Sequence, residues 1–561
     1  MQPILFAEQM REIDRLTVES FKTPSSLLME AAANACLNAI CYHFGNTIHD
    51  KKALVLCGKG NNGGDGAALA RALTRHDFRC DVILIGRVSD TTGDARMNFE
   101  TLTKLASFEA GSPTAPSPLT FAECTEVSEW EQLARPRHSY DLIVDALFGT
   151  GLTRPLEGIF LKIIEHLDLL RRARERAGGS RPLILSIDIP SGLNADKANP
   201  IGPAVQADLT VTMTAPKPAN VLPPAADFGG ELSIANIGSP LALVRAAEPW
   251  LCMTEARDVS EWLSQTRYSS DSYKNTHGHV VVIAGSRNYS GAAALCGDAA
   301  MKSGAGLVTI ATPLSIQTTV AARTMLEVMT TPLAETDRGA VSDEAIDVAL
   351  KLFSRATVLA IGPGLTSDDE RTRKFVRTIV ERRTCPTVID ADALNCLSPW
   401  PDDLHGSRKL PIILTPHPGE MLRLIGADHK TALEGRVLAA REFARAHELF
   451  LILKGSRSVI ATPDGQVIVN PTGNPGLGTG GSGDTLTGLV AGFLAQAVGK
   501  LKTNADPCAA IVAALYIGGV AGDLAARELG MRVMVASDIR EQFSAAIRSL
   551  DPQGEYPGTG K

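Results

Sequence analysis

Residues 470–488 read NPTGNPGLGTGGSGDTLTG and run directly into the apolar segment LVAGFLAQAV. Glycine tolerates positive φ and lets backbone N–H groups come close to an anion. The amides of residues 480–483 fall at the start of a helix expected over 485–498. A helix N-terminus carries unpaired donors and a partial positive charge, which makes it a seat for phosphate. Asp484 stands out there, because a carboxylate among phosphate-binding amides costs electrostatic energy unless it orients a hydroxyl or takes its proton. The alternative is a glycine-rich turn in which Asp484 only caps a helix.

Upstream, a series of expected strands ends in polar residues. TVLAIGPGLT (357–366) ends in Gly-Pro-Gly, and TVIDADALN (387–395) ends in Asp390 and Asp392. PIILTPHPGEM (411–421) delivers His417 and Glu420, and LFLILKGSRSVIATPDG (449–465) delivers Lys454. HVVVIAGSRNYSGAAALCGDAAMKSGAGLVTIAT (279–312) reads as strand, polar glycine loop, helix and strand. Its GDAAMKS is not a P-loop, since Met301 stands where the glycine before the lysine belongs. Five strands of one sheet with polar ends, followed by the glycine helix start, predict a site at the carboxyl edge. Residues 248–263 read as a linker running into a helix, so a domain boundary falls there.

The first half repeats this grammar. Helices are expected over 8–18 and 25–44, then the strand KALVLC (52–57), the glycine loop GKGNNGGDG (58–66) and a helix over 67–74. The loop is not a dinucleotide fingerprint: Asn61, Asn62 and Asp65 are polar ligands, although an Asx-turn is the alternative. DLIVDALFGTGLTRP (141–155) delivers Asp145 and a Gly-Thr-Gly turn, and PLILSIDIPSGLN (182–194) delivers Asp188 and Ser191. Oxygen ligands from Asn62, Asp145 and Ser191 suit a hard cation, and the single carboxylate favours a monovalent one. Asp188 is left as an acid–base candidate. LTVTM (209–213) and ELSIANIG (231–238) are the last strands, with Lys217 between them read as a surface lysine, a ligand to an anionic group being the alternative. Residues 111–118 and 171–181 read as surface loops.

Composition sets the outer bounds. A chain of 561 residues with 44% hydrophobic and 21% charged content implies two or more globular domains. A net charge of −7 argues against nonspecific nucleic-acid binding. The N-terminus has no signal-peptide core, and the apolar run at 509–522 is too short for a bilayer and reads as a buried helix. Ten cysteines without a CxxC pair, and no zinc-ligand spacing, point to a reduced, cytoplasmic compartment with no membrane partner.

NNGGDG, VDALFGTGLTRPLEG and IDIPSG together resemble the epimerase domain of the NAD(P)H-hydrate repair enzymes over most of 1–240. LMEAAANA at 28–35 departs from that family's usual helix start. GSRNYSGAA, GPGLT, TPHPGEM, KGSRS and NPTGNPGLGTGGSGD resemble the dehydratase domain of the same enzymes over nearly all of 275–545, with the ribokinase-like GxGD aspartate at Asp484. The resemblance implies an α/β chain: a Rossmann-like doubly wound domain at 1–245 and a ribokinase-like domain at 250–561. It implies that Asn61, Asn62, Gly63, Gly64 and Asp65, with Gly149, Thr150, Gly151, Leu152, Thr153, Arg154 and Pro155, hold a hydrated NADH or NADPH. Asp188 contacts that substrate, and Asn62, Asp145 and Ser191 bind potassium. In the second domain Ala293, Gly364, His417 and Asp484 contact the hydrate. Lys454, Gly455, Ser456, Arg457, Ser458 and Gly483 hold ADP, used with Mg2+. Epimerisation of the R and S hydrates, ADP-dependent dehydration of the S form and a homo-oligomeric assembly are the implied activities and state. The rival reading is a ribokinase-like small-molecule kinase with a non-catalytic N-terminal nucleotide-binding module.

Overall fold

The computed structural model describes residues 1–45, 49–110, 117–134, 140–177 and 181–552. Of the expected surface loops, 111–116 and 178–180 lie outside the described residues, and Arg171 to Ala177 instead continue the helix Gly158–Ala177. The chain divides into two compact units: Pro3–Pro249, and Met1–Gln2 with Trp250–Lys561.

In the first unit seven parallel strands lie in the order Leu119–Cys124, Arg79–Ile85, Lys52–Cys57, Leu142–Ala146, Leu183–Ile187, Leu209–Met213 and Glu231–Ala235. Numbered along the chain the order is 3-2-1-4-5-6-7, a Rossmann-like sheet. The direction of winding reverses between Lys52–Cys57 and Leu142–Ala146, so the loops leaving those strands open a crevice. The central strands are near-continuous apolar runs because both faces are covered. Val55, Val144 and Leu185 face the helices Ser25–Phe44 and Asn61–Thr74, while Leu54, Leu56 and Ile143 face Trp130, Ile163 and Leu167.

The glycine segment after Lys52–Cys57 differs from expectation. The helix begins at Asn61, six residues earlier, so Asn62, Gly63, Gly64 and Asp65 belong to its first turns. Close approach explains the glycines: a Cβ at Gly63 would sit 1.8 Å from the Gly58 carbonyl oxygen, and one at Gly66 would sit 2.5 Å from Ala146 Cβ.

The second unit carries an eleven-stranded sheet. Seven parallel strands run Met329–Leu333, Leu307–Pro313, His279–Ile283, Val358–Ile361, Thr387–Ile389, Ile412–Leu414 and Phe450–Leu453. This is again 3-2-1-4-5-6-7, with its reversal between His279–Ile283 and Val358–Ile361. Val459–Ala461 and Val467–Val469 extend the sheet antiparallel, and Leu251–Met253 pairs parallel with the latter. The segment expected as a linker running into a helix at 248–263 does lead into the helix Ala256–Thr266, but contributes a strand before it.

The helix Ser482–Gln496 is buried along most of its length and packs on the helix Ser290–Lys302 through glycine. A Cβ at Gly488 would lie 2.1 Å from the Cys296 carbonyl oxygen. The apolar run at 509–522 sits inside the helix Pro507–Leu529. Among the described residues this helix alone is long and apolar enough to cross a bilayer, and 61% of its most apolar window is buried inside the fold.

Candidate active sites

The parallel register of the first unit decides what meets at its crevice. Ile187 stands opposite Val211, so Asp188 emerges beside Thr212. Asp188 adopts φ 66°, a left-handed conformation that a non-glycine residue holds only where its surroundings impose it. Its N–H donates to the Val211 carbonyl at 2.7 Å, and its own carbonyl accepts from Asn220 Nδ2 at 3.0 Å. Oδ1 accepts from Thr212 Oγ1 at 3.0 Å and from Lys217 Nζ at 2.5 Å.

Lys217 corrects the sequence reading: it is 1% exposed and not a surface lysine. Its ammonium also donates to the Thr212 hydroxyl and the Met213 carbonyl. A buried cation is stable only when paired in this way.

The other oxygen, Asp188 Oδ2, faces the turn after Leu142–Ala146. A Cβ at Gly149 would meet it at 3.3 Å and Asn62 Oδ1 at 3.4 Å, so glycine keeps a small oxygen-lined space open. Asp145 is fully buried, accepting from Ser191 Oγ and Leu147 N at Oδ1 and from Ser186 Oγ and Ser191 N at Oδ2. Burial pushes its pKa up, against the pull of these neutral donors. Ser191 Oγ further accepts from the Phe148 amide at 2.9 Å. Asn62 brings its oxygen to the same space while its Nδ2 is buried without a partner among the described residues. The buried Asp145 carboxylate, met only by neutral donors, and the Asn62 amide oxygen at the Gly149 turn are ligand types that a hard monovalent cation takes. Asp65 is partly exposed on the first turns of the helix, and burial, with the charges of Asp188 and Asp14, holds its pKa well above the usual carboxylate range. Thr153, Arg154 and Pro155 are exposed, Gly151 faces open space, and the Leu152 side chain is in the apolar core. Asp14, on the helix Ala7–Glu19, is a charged neighbour of Asp188 and Lys217 that no motif marks.

In the second unit the polar strand ends gather around the start of Ser482–Gln496. Gly481 takes φ 86° as its N-cap, and Asp484 sits in the first turn. Lys454 Nζ donates to Asp390 Oδ1 at 2.8 Å and lies 3.9 Å from Glu420 Oε2. Burial opposes the lysine's charge, but Asp390, Glu420 and Asp484 outweigh it and raise its pKa. Burial pushes the Asp484 carboxyl to about 7, with Asp390 and Asp392 adding to the shift and Lys454 opposing it.

His417 caps the helix Pro418–Leu424, its Nδ1 accepting from the amides of Gly419 and Glu420, while Glu420 returns the contact to the His417 N–H at 2.8 Å. Gly364, at φ 65°, lies against Tyr289 and Ala292, next to the buried Ala293. Lys454 to Ser458 form the hairpin between Phe450–Leu453 and Val459–Ala461. Ser458 Oγ closes it on Gly455, and Arg436 donates to the carbonyls of Ser456 and Arg457. A Cβ at Gly483 would be 3.3 Å from Lys454 Nζ.

Carboxylates at Asp390, Asp392, Asp484 and Glu420 outnumber the one ammonium. A bare diphosphate would be repelled, so the arrangement fits a divalent cation arriving with the phosphates. Among the described residues no group of three or more His, Cys, Asp or Glu could hold a metal by itself.

An oxygen-lined crevice on one doubly wound sheet, and a buried lysine ringed by carboxylates at a glycine helix start on another, mark a two-domain α/β enzyme. Residues 25–219 match the family model of the YjeF-related protein N-terminus, and 280–544 match that of NAD(P)H-hydrate dehydratase. The bifunctional NAD(P)H-hydrate repair enzyme of Moorella thermoacetica is 37% identical over 98% of this chain and 98% of its own. That of Thermofilum pendens is 33% identical over 97% of this chain and 95% of its own. Among solved structures, the ADP/ATP-dependent NAD(P)H-hydrate dehydratase of Bacillus subtilis, co-crystallised with ATP/Mg2+, is 29% identical. It covers 54% of this chain and 99% of that one, with a TM-score of 0.45. The chain belongs to the family of bifunctional NAD(P)H-hydrate repair enzymes.

Proposed function

We propose that this chain repairs hydrated NADH and NADPH: its first unit interconverts the R and S hydrates, and its second dehydrates the S hydrate at the expense of ADP, releasing AMP and phosphate. The observation that carries the reading is the placing of Asp484, in the first turn of a glycine-rich helix, within the electrostatic reach of Lys454 at a strand end, while Lys454 itself lies against Gly483 of that helix.

Hydroxide is a poor leaving group, whereas phosphate is a good one. Asp484 takes the proton of the hydrate's hydroxyl as that oxygen attacks the terminal phosphorus of ADP, and AMP leaves. The amides at the start of Ser482–Gln496 and the Lys454 ammonium bind the phosphates, with Gly455, Ser456, Arg457 and Ser458 along the nucleotide. The ring nitrogen's lone pair then expels phosphate, and loss of a proton from the adjacent ring carbon restores the double bond. Ala293, Gly364 and His417 line the side from which the hydrate approaches. A Mg2+ ion arriving with the diphosphate would be held by carboxylates near Asp484 and would neutralise charge on the transferred group.

In the first unit Asp188 Oδ2 takes the hydroxyl proton as the ring carbon–nitrogen bond opens to an aldehyde, and passes it to the ring nitrogen, which keeps the bonding pair. Rotation and reclosure from the other face return the proton to oxygen and give the opposite epimer. Lys217 and Thr212 hold Oδ1, leaving Oδ2 for this exchange. The turns at 61–65 and 149–155 hold the nucleotide. Asn62, Asp145 and Ser191 would hold potassium, whose charge orders these turns. Ten free thiols support a cytoplasmic setting, and exposed Leu529, Met531, Val533 and Val535 support homo-oligomerisation, which light scattering measures.

Each purified epimer, incubated with and without ADP, tests the reading. The S form should regain reduced-nicotinamide absorbance only with ADP, releasing AMP. The R form should follow at the epimerisation rate. A stable phosphorylated product would instead mark a kinase.

A further inference from the structure

Asp390 is the most enclosed charge of the second site, 1% exposed and placed as N-cap of the helix Ala391–Cys396. Its backbone is fixed on both sides. The N–H donates to the Ile361 carbonyl at 3.1 Å, and Gly362 leaves room for the Asp390 carbonyl, which a Cβ there would meet at 1.8 Å. Both carboxylate oxygens are engaged: Oδ1 by Lys454 Nζ at 2.8 Å, Oδ2 by Thr487 Oγ1 at 2.7 Å. Thr487 is itself buried, one turn beyond Gly483 on Ser482–Gln496. A Cβ at Gly483 would fall 3.3 Å from the ammonium and 3.7 Å from Asp390 Oδ2. Strand end, glycine helix and lysine therefore meet at one carboxylate.

The chemistry of lysine makes this juncture consequential. Its ammonium rides on a flexible four-carbon stem and has no built-in geometry, unlike the rigid fork of arginine. Something else must aim it. Left without a fixed anion in a largely enclosed site, it would swing toward water or give up its proton. Asp390 takes one of the three ammonium hydrogens and is held in turn by Thr487, so, with Glu420 Oε2 more distant at 3.9 Å, the ammonium stays beside Gly483 at the start of the helix.

We propose that Asp390 is a positioning residue for the diphosphate seat. Clamped by Thr487, it aims Lys454 at the first turn of the glycine helix and acts on the co-substrate only through that lysine. The inference rests on the reading that Lys454 meets the diphosphate of ADP.

The test uses the full chain and steady-state dehydration of the S hydrate with ADP varied, in the unaltered protein, Asp390→Asn, Lys454→Ala and the double variant. Asp390→Asn keeps the side chain's shape and removes its charge. KM for ADP should rise at least about tenfold, the scale of a lost charged hydrogen bond. In the Lys454→Ala background, adding Asp390→Asn should change that KM by no more than about twofold, because a residue acting through another has nothing further to lose. Thr487→Val should move KM in the same direction by less, and it carries the same cycle should Asp390→Asn not fold. An unchanged KM in Asp390→Asn, or a defect that multiplies in full onto that of Lys454→Ala, overturns the proposal. If dehydration by the unaltered chain ignores ADP, the underlying reading fails and takes this inference with it. If the unaltered chain saturates with ADP and Asp390→Asn does so at the same KM, only the inference fails.

Discussion

Asp188 Oδ1 stands 2.5 Å from Lys217 Nζ, in an ion pair whose lysine is 2% exposed and whose aspartate is 14% exposed at the side chain. The pair spends one carboxylate oxygen on structure and leaves the other facing Gly149 and Asn62. Removing one partner of so enclosed a pair leaves an uncompensated charge and costs about 3–5 kcal/mol. Lys217→Met should therefore lower the unfolding midpoint of the first unit and stop R-to-S conversion. S-hydrate dehydration by the same preparation should persist. Epimerisation at the unaltered rate in a folded Lys217→Met would remove the lysine from the site.

The strands that carry both sites were legible because buried parallel strands are uninterrupted apolar runs, and LTVTM and KALVLC match the observed strands. Asp145, Asp188 and Lys454 stood out for a related reason, since each ends or follows such a run, whereas Asp484 stood out as a carboxylate among glycines just before an apolar helix. Lys217 was not. It sits in the proline-rich APKPANVLPP, which reads as a solvated connection, and only the register of Ile187 against Val211 brings it to Asp188. The glycines at 63–66 look like loop residues in one dimension. Their purpose, letting a helix start almost in contact with the Gly58 carbonyl and Ala146, exists only in three. Thr487 and Asp14 carry no local signal, since a threonine in an apolar helix and an aspartate on an amphipathic one have ordinary explanations.

If Asp484 is the base, as proposed, its titration sets the pH response of the dehydration step. Burial and the charges of Asp390 and Asp392 bring its carboxyl to about 7, against the pull of Lys454. The step needs the ionised form, so kcat/KM for the S hydrate should fall about tenfold per pH unit below that value. In Asp390→Asn one of the raising charges is gone, and the acidic limb should move to lower pH. Asp484→Asn should lose about 10²–10⁴ in rate, the usual span of a general base, and show no limb at all. A profile level from pH about 5 to about 8 in the unaltered chain would exclude Asp484 as the base.

Two glycines of the same helix should respond oppositely to alanine. At Gly483 the added methyl meets the tip of a lysine, 3.3 Å away, and a side chain can yield. Gly483→Ala should keep its melting midpoint while raising KM for ADP, because the yielding group is the one assigned to the phosphates. At Gly488 the methyl would lie 2.1 Å from the Cys296 carbonyl and 2.9 Å from Ala299 Cβ, where backbone must move. Overpacking of this kind costs about 1–3 kcal/mol, so Gly488→Ala should melt earlier with KM for ADP unchanged in the folded fraction. Calorimetry and ADP titration on the pair separate these outcomes, and a common effect on both quantities would contradict the geometry.

Asp14 lies on the helix Ala7–Glu19, which packs Ala7 against Ile189 and Ala219 and Ile13 beside Ala215, close to both members of the Asp188–Lys217 pair. Its Oδ1 is shielded from water with no hydrogen-bond partner among the described residues. Burial raises its pKa from 3.8 to about 6, Lys217 opposing and Asp188 reinforcing the shift. Between those values the folded chain keeps a proton that the unfolded chain has released, so stability drains away as pH rises through this window. Above about pH 6 the full cost of an enclosed charge is carried. Asp14→Asn removes that cost. The variant should be more stable than the unaltered chain above about pH 6, and the difference should close as pH falls toward about 4. Melting midpoints of both proteins across this range decide the matter: a gap that does not change with pH would mean that Asp14 is not the titrating group.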